Sequence, residues 1–160
     1  MVFAGQSALH LRLSVVWGEA QRLLRLRLAA PAKLDRRIDL VSGGPLARPL
    51  DSQEYPLNGA LVVGDTARQD RPCHTMAVIA PEVFSVSADA EGVSLTLLRS
   101  PYVAHHDPYP AANRPDHPLT DQGLHEFDII LAPGAALDLA EPARLARQML
   151  MPPVTWDLTG

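Results

Sequence analysis

The sequence predicts an all-β fold: an antiparallel β-sandwich with one short helix near the C-terminus. Two observations carry that expectation. Apolar residues recur at every second position in short segments, the period of a strand with one buried face. Fifteen prolines and ten glycines in 160 residues then cut the chain between those segments. Many short strands, each with one apolar face, call for two antiparallel sheets packed face to face.

The elements follow in order. A first strand is expected at 8–17. In "RLLRLRLAAP", Leu24, Leu26 and Leu28 fall on one face while Arg25 and Arg27 fall on the other. Further strands are expected at 36–41, 59–64 and 74–80. "EVFSVSADAEGVSLTLLRS" predicts a hairpin, with Phe84 and Val86 alternating with Ser85 and Ser87 before a "DAEG" turn. Val93, Leu95 and Leu97 then alternate with Ser94 and Thr96. "LHEFDIILAPG" repeats the pattern with Phe127, Ile129 and Leu131 and stops at Pro133-Gly134. The single helix is expected at 139–150. Asp138 is positioned to cap it, Glu141 lies three residues later as in a capping box, and Pro142 falls in the first turn. Leu139, Ala143, Ala146 and Leu150 would share its apolar face.

Composition narrows the function classes. A chain of this length suits one domain, and 47% apolar residues suffice for a core. The net charge of −4 gives no electrostatic footprint for nucleic acid, and the arginines of "RLLRLRL" read as the wet face of a strand. The lone Cys73 excludes an internal disulfide framework and reads as an ordinary small residue at a strand start. The N-terminus lacks the basic start and continuous apolar core of a secretory signal. No apolar run approaches the roughly 18 to 20 residues that span a bilayer, so no membrane partner is expected and a cytoplasmic location is.

The chemistry-bearing residues gather in and after "LLRSPYVAHHDPYP", residues 97–110. His105, His106, Asp107, Asp116, His117, Asp121 and His125 are of metal-ligating types. A catalytic zinc needs about three ligands converging from rigid elements. These lie among Pro108, Pro110, Pro115 and Pro118 without an H-x-H or HExxH spacing, which favours a polar surface loop. A metal-dependent hydrolase built on the 105–125 loop stays as one alternative. Ser100 in "RSP" has no G-x-S-x-G elbow and no identifiable oxyanion hole. Eighteen acidic residues single out no carboxylate pair for glycosyl transfer. "SGG" at 42–44 lacks a phosphate-cradle pattern and reads as a turn. Arg99 differs, because it ends an apolar strand with a planar five-donor fork suited to carboxylates and sugar hydroxyls.

Four segments together carry a resemblance. "VVWGEAQRLLRLRLAAP", "IDLVSGGPLARPLDSQEYP", "GVSLTLLRSPYV" and "DQGLHEFDIILAPG" stand in this order over roughly residues 11–150. They resemble the C-terminal β-sandwich region of glycoside hydrolase family 38, the zinc-dependent α-mannosidases. "LNGALVV" departs from the family, which usually carries a tryptophan after the "E-x-P" turn. The resemblance implies a single sandwich domain over 1–160, similar to the galactose-mutarotase-like supersandwich and forming part of a larger enzyme. The catalytic barrel of such an enzyme, with its zinc ligands and catalytic carboxyls, is not represented in the sequence. It follows that no catalytic or metal-ligating role is expected in this chain, and that the zinc belongs to the barrel. The implied partners are that barrel, as domain or subunit, and mannosides. Arg99, Tyr102 and Asp121 are the residues expected to face the barrel or the substrate cleft. A free-standing carbohydrate-binding sandwich is the other alternative, with Tyr102 and Tyr109 as the loop's aromatic residues. A sandwich taken from a larger assembly exposes unpaired strand edges, so homo-oligomerisation is a further expectation.

Overall fold

The computed structural model describes residues 8–65, 74–101, 119–134 and 138–151. Among these residues ten strands run β1 (Leu9–Trp17), β2 (Leu23–Ala29), β3 (Arg36–Val41), β4 (Gly44–Ala47), β5 (Glu54–Pro56), β6 (Ala60–Gly64), β7 (Thr75–Ile79), β8 (Ser85–Asp89), β9 (Gly92–Arg99) and β10 (Gly123–Pro133). One helix, α1 (Ala140–Leu150), follows. All ladders are antiparallel. They form a six-stranded sheet ordered β1-β10-β7-β6-β3-β4 and a four-stranded sheet ordered β2-β9-β8-β5. The chain is an all-β sandwich, as the alternating segments predict. Among the described residues no helix is long and apolar enough to cross a membrane.

The core between the sheets comes from the alternation. Leu61, Val63 and Val78 of the larger sheet, with Phe127 and Ile129, meet Val86, Ala88, Val93, Leu95 and Leu98 of the smaller one. A second apolar layer lies on the outer side of the six-stranded sheet. There Ala60, Val62, Ala77, Ile79 and Ile130 pack against Leu139 and Ala146 of the helical segment. β6 therefore has both faces covered and reads as an unbroken apolar run rather than an alternation. Gly59 (φ +83°) lets the helix approach, since a Cβ there would stand 3.2 Å from the Ala146 Cβ. Gly92 (φ +154°) closes the β8–β9 turn against β2, where a Cβ would fall 2.2 Å from the Leu28 carbonyl oxygen.

Several expectations need correction. β4 and β5 were not foreseen; both are short and contain proline, Pro45 and Pro56, which confines them to sheet edges. Phe84 does not join the apolar face of β8: it lies just before the strand begins, 73% exposed. Leu150 is exposed, and the helix instead buries Pro142 and Ala146, with Leu145 and Met149 packed alongside. The Asp138 side chain still accepts the Ala140 N–H at 3.0 Å, but Glu141 pairs with Arg144 rather than closing a capping box. The largest surprise is β3. Its apolar residues Ile38 and Leu40 face the helix layer, while Arg37 and Asp39 point between the sheets.

Candidate functional site

The outer face of the four-stranded sheet is polar because β2, β8 and β9 alternate. Arg25, Arg27, Ser85, Ser94 and Thr96 project there, and β5 adds Glu54. The Glu54 carboxylate organises this face. Its Oε1 accepts the Ser85 hydroxyl at 2.5 Å and the Thr96 hydroxyl at 2.6 Å. Its Oε2 accepts Arg25 at 3.1 Å and Arg99 at 3.4 Å. The Ser85 hydrogen bond, then that of Thr96, and behind them the charges of Arg25 and Arg99, hold this carboxyl below the usual glutamate range. Beside it, Arg27 donates to Asp89 at 2.6 Å and to the Ser94 hydroxyl at 3.2 Å. The Arg27 hydrogen bond, the main one, lowers the Asp89 pKa.

Arg99 stands where β9 ends. Its backbone N–H donates to the Asp121 carboxylate at 3.0 Å, and its carbonyl accepts the Thr120 hydroxyl at 2.9 Å. Asp121 adopts a left-handed conformation (φ 54°), which aspartate tolerates better than most residues. The Arg99 side chain is 60% exposed, and among the described residues its guanidinium gives a single donor, to Glu54. A guanidinium has five N–H donors, so most of this fork faces solvent. The rim around it is pinned. Ser100 is fully buried and exchanges hydrogen bonds with Arg22 through both backbone and hydroxyl. Gln122 donates to the Glu19 carbonyl at 3.0 Å. Ser100 is thereby a structural residue, not an accessible nucleophile.

Of the three expected site residues, Arg99 and Asp121 come together, through the Arg99 backbone rather than its guanidinium. Tyr102 lies outside the described residues, as do Cys73, His105, His106, Asp107, Tyr109, Asp116 and His117. His125 is placed: its ring stacks on Phe127 with centroids 6.4 Å apart, and Nε2 lies 3.0 Å from the Asp121 carbonyl oxygen. Among the described residues no three His, Cys, Asp or Glu side chains converge as a metal site. Glu54 was missed as a site residue. Its only sequence signal was membership of the "E-x-P" element. A groove of about 650 Å³ lies elsewhere, on the outer side of the six-stranded sheet, where Arg12, Glu82, Asp128 and Met149 line it.

The second polar cluster is internal. Arg37 and Asp39 form a bidentate pair at 2.7 and 2.6 Å with both side chains fully buried. Arg37 also reaches the Val86 carbonyl of the opposite sheet at 3.4 Å. The guanidinium carbons of Arg37 and Arg48 lie 5.4 and 4.5 Å from the Tyr55 ring centroid, and the Tyr55 hydroxyl donates to Asp51 at 2.8 Å. This cluster ties β3 to β5 and β8 across the sandwich.

Fold and site together define a two-sheet antiparallel sandwich with an exposed arginine fork at one sheet end. Comparison with protein-family models and with curated proteins finds no match to this chain.

Proposed function

We propose that this chain is a non-catalytic sandwich module of a cytoplasmic α-mannosidase-type glycoside hydrolase, acting against a separate catalytic barrel. The supporting observation is the rim at Arg99. Glu54, Asp121 and Thr120 hold the end of β9 while the Arg99 side chain is 60% exposed and, among the described residues, gives one donor, to Glu54. Of that rim, Arg99 falls within "LLRSP", Asp121 opens "DQGLHEF" and Glu54 lies in "SQEYP", parts of three of the four segments that carry the family resemblance. In the intact assembly the barrel hydrolyses terminal α-mannosides, and its zinc and carboxyls do the chemistry. The module braces the barrel and shapes the cleft. The cytoplasmic part of the proposal is supported by a single cysteine in the chain, which suits a reducing compartment.

The test has two arms. The pure 160-residue chain is assayed on an aryl α-mannoside with and without added zinc, and no turnover is expected. It is then mixed with the catalytic barrel of a family 38 enzyme cut before its own sandwich, and recovered turnover is expected. Zinc-dependent turnover by the chain alone would overturn the proposal.

A further inference from the structure

A sandwich has four sheet edges, and three of these are guarded. Among the described residues the sheets end in β1 and β4, and in β2 and β5. β4 and β5 are four and three residues long and each contains a proline, which blunts edge pairing. β2 sets Arg25 and Arg27 outward. Beside it the ladder slips, Leu24 opposing Leu98 and Arg25 opposing Thr96, so that Leu97 bulges. β1 has none of these devices. It runs nine residues without proline, glycine or bulge, and Arg12 is its one formal charge.

The inner face of β1 is also incompletely covered. Leu11, Leu13, Val15 and Trp17 are only half-buried, although Phe127 and Ile129 of the adjoining strand are buried. On the outer face Val16 is 84% exposed. An edge about 30 Å long with these properties is a template for another strand.

We infer that this edge pairs with β1 of a second copy of the chain, antiparallel about a two-fold axis at Leu13, making one continuous sheet of two six-stranded halves. The strand is self-complementary in that register. On the inner face Leu11 opposes Val15 of the second copy, Leu9 opposes its Trp17, and the two Leu13 residues meet. On the outer face Arg12 opposes Ser14 and His10 opposes Val16. No like charges face each other, and the exposed valine gains a ring beside it. The same construction on β2, centred on Leu26, sets Arg25 opposite Arg27 twice. Charge therefore selects β1 over β2 for self-pairing, and the contact is isologous and closes at two copies. The inference does not rest on the mannosidase reading.

Sedimentation equilibrium of the full chain tests it, over a wide concentration range and with the Ser14→Arg variant in parallel. Within one chain Ser14 lies across from Glu126, so the new guanidinium gains an in-chain partner and the fold is kept, which circular dichroism verifies. Across the two-fold it faces Arg12, twice. The wild-type chain is expected to dimerise, and the variant's dissociation constant to rise about a hundredfold or more. Hydrogen exchange adds a second readout: the β1 amides that point away from β10 should lose protection in the wild type on dilution. A monomeric wild type in which those amides stay protected at every dilution would mean that another part of the chain covers the edge, and would overturn the inference. A dimer insensitive to Ser14→Arg would overturn it equally.

Discussion

Two carboxylates in this molecule each sit between two arginines, and their surroundings make them opposites. Asp39 lies between the sheets with Arg37 and Arg48; Asp39 and Arg37 are cut off from water entirely. Glu54 lies on the outer face of the four-stranded sheet with Arg25 and Arg99, its side chain 25% exposed. In the first cluster the arginines are enclosed by the fold: a bidentate pair, a carbonyl of the facing sheet and the face of Tyr55 hold them, and Arg37 Nη1 and Arg48 Nε are buried without a hydrogen bond among the described residues. In the second the serine and threonine hydroxyls bond one oxygen, and the arginines share the other while their side chains stay exposed to water. Similar side chains thus serve cohesion where water is excluded and stay partly open to water where it is not.

The sharpest way to break this contrast is Asp39→Ala. It leaves the Arg37 guanidinium buried without its counter-charge, which costs about 3–5 kcal/mol. Urea unfolding should show that loss. Replacing both partners, Asp39→Leu with Arg37→Met, should recover most of it, because the desolvation penalty disappears along with the pairing. If Asp39→Ala unfolds like the wild type, the buried pair is not what joins the two sheets at this end.

Glu54→Ala should cost less, on the order of 1–2 kcal/mol, since its hydrogen bonds to a charged group are discounted by partial exposure. Its pH dependence separates it from a packing effect. The folded-state pKa of Glu54 lies below its unfolded value, so its contribution is complete above about pH 4.3 and is lost as pH falls through the folded value. The stability gap between wild type and Glu54→Gln should therefore be widest near neutral pH and shrink on acidification. A gap that stays constant down to pH 3 would show that the carboxylate's charge is not what the hydroxyls and arginines recognise.

These two clusters also mark where the sequence is informative and where it is silent. β2, the β8–β9 hairpin and β10 were legible because alternation with period two is a local signal. The "DAEG" turn was legible because Gly92 must take a positive φ against the Leu28 carbonyl. The apolar face of β3 was legible as a face, but not its direction. Both sides of the six-stranded sheet are apolar, one toward the other sheet and one toward the helix, so periodicity alone cannot say which side takes Ile38 and Leu40. Leu150 was misassigned for a related reason: the helix rotates to bury Pro142 and Ala146, a choice made by the surface beneath it. Arg99 stood out because a guanidinium terminates an apolar run. Glu54 did not, since Ser85, Thr96 and Arg99 lie 31, 42 and 45 positions away. Its role exists only once β5, β8 and β9 are side by side.

Arg99→Ala should have the smallest effect on the fold and the most specific effect on function. Its contact to Glu54, the one among the described residues, is long and solvent-exposed, so stability should change by no more than about 0.5 kcal/mol. Asp121 and Thr120 bond to the backbone of Arg99, and the substitution leaves both contacts in place. The rim keeps its shape and loses only the fork. Under the proposed function, Arg99→Ala should then weaken recovery of barrel turnover in the mixing experiment while its urea midpoint matches the wild type. Arg99→Lys should restore little, because a point charge does not reproduce a planar fork. Full recovery by Arg99→Ala would remove the guanidinium from the interface and leave the rim as a purely structural end to β9.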